Sequence, residues 1–190
     1  MDKNEIMVKS IDNVRKLIDN SILILKDIDT YFSDKGFVPI LGNAIGTESS
    51  KSINQAYDSN GTFFPQFMLR PYVKKTNLEN GIVGKLAAIN IQFFHPKYDL
   101  MTPLVINGVF YFQQPIKDPK SELKNWWLKY AVLEYNQSER YSYEEIYSVK
   151  PFSDDNTEIK YWINPLTSIE NQDDVFKTVE KLISLYNEEI

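Results

Sequence analysis

Six side chains recur through the middle of this chain in a pattern that could recognise a polar ligand: Arg70, Tyr72, Asn90, Gln92, Asn107 and Tyr111. Arginine offers a planar fork of donors that suits a carboxylate or a phosphate. Carboxamides donate and accept at once, and tyrosine adds flat apolar area with one polar tip. Residues 62–75, 82–94 and 104–113 each place apolar side chains at every second position, the pattern of half-buried antiparallel strands. That alternation predicts a core face made of Phe63, Phe67, Leu69 and Val73, of Ala87, Ile89, Ile91 and Phe93, and of Leu104, Ile106, Phe110 and Phe112. The six polar residues, with Gln66, Met68 and Gln113, then gather on the opposite face. Solvated strand faces favour Lys, Glu and Thr, whereas this set is rich in uncharged amides. The expected function is therefore a non-enzymatic binding or regulatory protein that meets a partner protein or a small polar ligand through this face.

Catalytic chemistry has few residues to draw on. His95 is the single histidine, in the loop-like string His95-Pro96-Lys97-Tyr98-Asp99, and a lone loop histidine makes no triad by itself. Cysteine is absent, which rules out disulfides, thiolate nucleophiles and cysteine zinc sites. No EF-hand spacing occurs, and no metal or other cofactor is expected. The strings Gly81-Ile-Val-Gly84-Lys85-Leu86 and Gly42-Asn-Ala-Ile-Gly46 have the wrong spacing for a phosphate loop, and the first opens a strand where such a loop opens a helix. Glu158-Ile159-Lys160 resembles half of a restriction-type nuclease site, in which acids hold a metal and a lysine polarises water. A carboxylate- and lysine-based enzyme, such as a metal-dependent nuclease, is thus the rival class.

The chain has 190 residues and a formal net charge of −5, with only three arginines. An acidic chain has no general attraction for phosphate backbones, so nucleic acid is not an expected partner. The acidity also fits an inhibitor or immunity-type protein that neutralises a basic partner. Lysine, isoleucine and asparagine enrichment suggests a bacterial or phage source. The N-terminal residues lack the apolar stretch of an export signal, and residues 22–25 are too short to span a membrane. A cytoplasmic location is expected.

The elements that would position these residues read as follows. A long helix is predicted over residues 3–35, with Asp2 and Glu5 as a capping box and Gly36 as its stop. Its stripe of Ile11, Val14, Ile18, Ile22, Leu25, Ile28 and Phe32 can cover the chain's own sheet or pair with a second helix in a homodimer. Residues 37–61 read as an irregular loop, long enough to be functional. Strands follow over 62–113, the first at a sheet edge because of Pro65 and Pro71. A helix over 119–135 starts at Asp118-Pro119, short strands occupy 143–163, and a C-terminal helix capped by Asn171 covers 172–188. The sum is one α+β domain, a mainly antiparallel sheet of about five strands covered by N-terminal, middle and C-terminal helices.

Overall fold

A computed structural model describes residues 2–47, 65–94, 102–122, 142–150 and 157–188. The first element is α1 (Lys3–Asp34), a single helix of 32 residues. It stops where expected. Gly36 takes φ +79°, and the Lys35 and Gly36 amides close on the carbonyls of Phe32 and Ser33. At the other end Asp2 occupies the N-cap position, but its side chain makes no capping hydrogen bond, so the predicted box does not form.

The expected loop after α1 contains two short strands, β1 (Phe37–Pro39) and β2 (Gly46–Thr47). Both pair with the outer side of β3 (Phe67–Lys74). At three and two residues they are too short to show a period. Pro71 lies between their two contact stretches, and its carbonyl accepts from the Ile40 amide at 3.0 Å. The strand expected at an edge is therefore flanked on both sides, and the residue without an N–H sits where no ladder donor is needed.

A short helix, α2 (Lys75–Glu79), links β3 to β4 (Val83–Gln92), and β5 (Leu104–Ile116) follows. Only the first turn of the predicted middle helix lies within the described residues, as α3 (Pro119–Glu122); positions 123–135 lie outside them. Then come β6 (Tyr147–Val149), β7 (Thr157–Pro165), a 3-10 turn (Leu166–Ser168) and α4 (Gln172–Asn187). Among the described residues the sheet has seven strands, in the order β1–β3–β4–β5–β7–β6 with β2 also on β3, and every pairing is antiparallel. The fold is α+β, with two strands more than expected.

Residues 172–187 form a helix for legible reasons. The Asn171 side chain accepts from the Asp174 amide at 3.2 Å, and Asp173 and Asp174 in the first turn suit the positive end of the helix dipole. Val175, Val179, Leu182, Leu185 and Tyr186 face inward. α4 packs across β4 and β5, and the C-terminal half of α1 packs on α4 and β1.

Both faces of the central strands are buried. Met68, Tyr72, Ala87, Ile89, Ile91, Val105, Val109 and Trp162 lie under the two helices. Phe67, Leu69, Val73, Leu86, Ala88, Ile106, Phe110, Ile159, Tyr161 and Ile163 fill the opposite face. The apolar sets predicted to share one face thus belong to two.

Candidate functional site

The same register divides the six predicted site residues. In β3 and β4, Arg70 faces Ile89 across the ladder, while Asn90 faces Leu69. Directly paired residues share a face, so Arg70 and Asn90 lie on opposite sides of the sheet. Arg70, Tyr72, Asn107 and Tyr111 are on the helix side; Asn90 and Gln92 are on the other. All six are buried. The expected single polar face does not exist. The cause is that neighbouring positions such as Ala87 and Ala88, Val105 and Ile106, or Val109 and Phe110 are apolar in both phases, so alternation within one strand does not fix its phase against the next.

Four of the six act as internal fasteners. Arg70 Nε donates to Asp29 Oδ1 at 2.9 Å and a second guanidinium nitrogen pairs with Asp29 Oδ2. Its Nη1 donates to the Gly42 and Ala44 carbonyls at 2.6 and 2.7 Å. Tyr72 donates to Asp29 Oδ1 at 2.6 Å. One arginine thereby ties α1, the β1–β2 turn and β3 together. Burial alone would weaken the guanidinium's hold on its proton, but the hydrogen bonds and charge of Asp29 outweigh it and raise the pKa. Burial, then Asp29, pushes the Tyr72 hydroxyl pKa far up.

Tyr111 secures the end of α4. Its hydroxyl donates to the Leu185 carbonyl at 2.6 Å, and Lys85 Nζ donates to the Tyr186 carbonyl at 3.1 Å. Burial and the charges of Glu188 and Glu158 raise its pKa. Gln92 closes the β3–β4 end, donating to the Phe94 carbonyl at 2.6 Å. The two asparagines are different. Asn90 donates to Gln92 Oε1 at 3.1 Å, but its Oδ1 has no partner, and neither side-chain polar atom of Asn107 has one.

The nuclease-like tripeptide has similar structural commitments. Glu158 accepts from Ser148 at 2.7 Å, and Lys160 pairs with Glu188 at 3.1 Å. Among the described residues no three His, Cys, Asp or Glu side chains converge as a metal site would require. His95 lies outside the described residues.

Two surface features stand out, the first unforeseen in the sequence and the second part of the stripe read there. The first is a cleft of about 270 Å³ between β7 and the first turns of α4, lined by Trp162, Asn164, Ser168, Asp174, Lys177, Thr178, Lys181 and Glu144. Lys181 Nζ sits 4.7 Å from the Trp162 ring centroid and donates to the Glu144 carbonyl at 2.9 Å. Glu144 is held at φ 68°, a left-handed conformation that costs a non-glycine residue about 1 kcal/mol. Asn164 Oδ1 is buried without a partner.

The second is the N-terminal half of α1. The four buried residues of α1 are Ser21, Leu25, Ile28 and Phe32. Their spacings of four, three and four continue backwards without a break through Ile18, Val14, Ile11 and Met7, the seven-residue repeat of a helix that packs along one seam. Yet Met7 is 64% exposed, Ile11 55% and Val14 43%. Val8 and Ile6 beside them are exposed too. One stripe is core at one end and surface at the other.

Compared with protein families, with characterised proteins and with solved structures, the chain matches none. No described helix is long and apolar enough to cross a membrane.

Proposed function

We propose that this protein works by binding, through helix-to-helix contact made by the N-terminal half of α1. The observation that carries this reading is the concentration of exposed apolar side chains there. Ile6, Met7, Val8, Ile11 and Val14 lie on one half-helix, whereas the other large exposed apolar residues among those described fall singly or in pairs elsewhere: Leu23, Leu78 with Ile82, and Tyr143 with Ile146. Contiguous apolar surface on a folded protein marks an interaction site, and the heptad spacing suits a helix as the thing bound.

Proximity labelling in the native host tests it, comparing the wild type with an Ile11→Glu/Val14→Glu variant. The reading predicts a defined set of labelled chains that the variant loses while keeping its thermal midpoint. An identical set from both proteins overturns it.

A further inference from the structure

We propose that the occupant of the α1 seam is the same helix from a second copy, running antiparallel. This rests on the binding reading above and adds the partner and its register.

Antiparallel heptad helices stack in layers that join an a position to a d position. With Ile11 and Ile18 at a, and Met7 and Val14 at d, one register aligns the exposed seam residues: Ile11 with the second copy's Val14, Met7 with its half-buried Ile18, and the reverse pairs. The next layer outward at each end joins Asn4 to Ser21, so polar residues bound the apolar seam on both sides. Ser21 already bonds to the Leu17 carbonyl at 2.8 Å and is buried within its own copy, which ends the seam there.

Charge agrees with the register. Arg15 faces Val8 of the second copy, and Val8 is flanked on the same side of the helix by Glu5 and Asp12, three residues before it and four after. All four are exposed and free to meet across the seam. Two copies of this arrangement give two cation-to-acid clusters, one at each end.

Direction follows from what the rest of α1 does. Its C-terminal half is packed on its own sheet and on α4 through the same stripe. In a parallel pair, both domain bodies would compete for the space beside that continuing stripe. Reversing the second helix places its body beyond the first copy's N-terminus. Met7, Val8, Ile11 and Val14 leave roughly 400 Å² of mainly apolar surface in water per copy. With the stem of Arg15 beside Val8, two copies bury roughly 800–1,000 Å², the size of a weak, concentration-dependent pair and below the ~1,200 Å² at which stable interfaces begin.

The chain has no natural cysteine, so introduced thiols report geometry directly. Ile11→Cys and Val14→Cys chains are purified separately, then mixed and oxidised. The antiparallel register predicts disulfide-linked dimers only in the mixture. Efficient linking within Ile11→Cys alone means a parallel pair and overturns the register. Sedimentation of the wild type from about 1 to about 100 µM should show a monomer–dimer equilibrium, weakened about 100-fold or more by Ile11→Glu/Val14→Glu, with helical content unchanged. A monomer throughout that range overturns the homodimer. If the labelled set in the host still depends on Ile11 and Val14, the seam then takes a different chain, and only the homotypic inference has failed.

Discussion

The two halves of α1 carry one repeat and meet two fates. From Ser21 to Phe32 the repeat is sealed into the domain. Phe32 stacks on Tyr72 with ring centroids 4.2 Å apart, and Asp29 on an adjoining face holds both Arg70 and Tyr72. From Met7 to Val14 the same spacing runs on at the surface, with Ile18 half-buried against the core at the junction. Periodicity in a sequence therefore declares that a stripe will be covered, and leaves open by what. The sheet and α4 supply the cover for one half. The other half is exposed at Met7, Ile11 and Val14, and on our proposal a second copy covers it.

Substitutions along the stripe sharpen this contrast, and the largest effect belongs to the sealed half. Phe32→Ala should lower unfolding free energy by about 3–5 kcal/mol. Ile11→Ala, measured at the same dilute concentration, should change it by about 0.5 kcal/mol or less. Urea denaturation of both decides the matter, and similar losses would erase the distinction between the halves.

Asp29 comes next. Removing a carboxylate from a buried arginine leaves an uncompensated charge, which costs about 3–5 kcal/mol in a dry site. Asp29 keeps 31% of its side chain in solvent, so Asp29→Ala should cost less, about 2–3 kcal/mol. The β1–β2 turn, held by Arg70 through Gly42 and Ala44, should lose amide protection in parallel. Unchanged stability would show that this contact does not fasten α1.

A smaller effect separates the halves by pH. Tyrosines in the unfolded chain ionise near pH 10, while Tyr72 in the folded chain resists ionisation well above that. Above pH 10 the unfolded state then holds fewer protons than the folded one, so stability falls as pH rises, by roughly 1.4 kcal/mol per unit for each such tyrosine. Tyr72→Phe should lose about 1 kcal/mol at neutral pH with its hydrogen bond, and should show a shallower alkaline decline. Denaturation between pH 7 and 11 reads both. A slope unaltered by the substitution would mean that Tyr72 ionises as freely folded as unfolded.

Much of this architecture was legible before any coordinates. α1 and α4 announced themselves through the three-and-four spacing of Leu25, Ile28 and Phe32 and of Val175, Val179 and Leu182, and through Gly36 and Asn171 at their ends. β4 and β5 showed through apolar residues at every second position, despite Gly84 and Gly108 within them. The strand phase was not legible, because a strand buried on both sides carries apolar residues in both phases. That is why Arg70 and Asn90 were expected together and lie apart. β1 and β2 are too short for any period. The β7–α4 cleft joins Glu144, Asn164 and Lys181 across distant stretches of chain, and nothing local in the sequence links them. The α1 stripe was visible from Ile11 onward, but only the packing tells which half is covered.

Hydrogen exchange along α1, followed as the concentration of the full-length protein is raised, addresses the central claim most directly. We predict that amides of residues 21–32 stay equally protected at every concentration, while those of residues 7–18 exchange quickly in dilute solution and slow progressively as copies pair. Protection of residues 7–18 that does not change with concentration would contradict the account, whether it is high throughout or absent throughout.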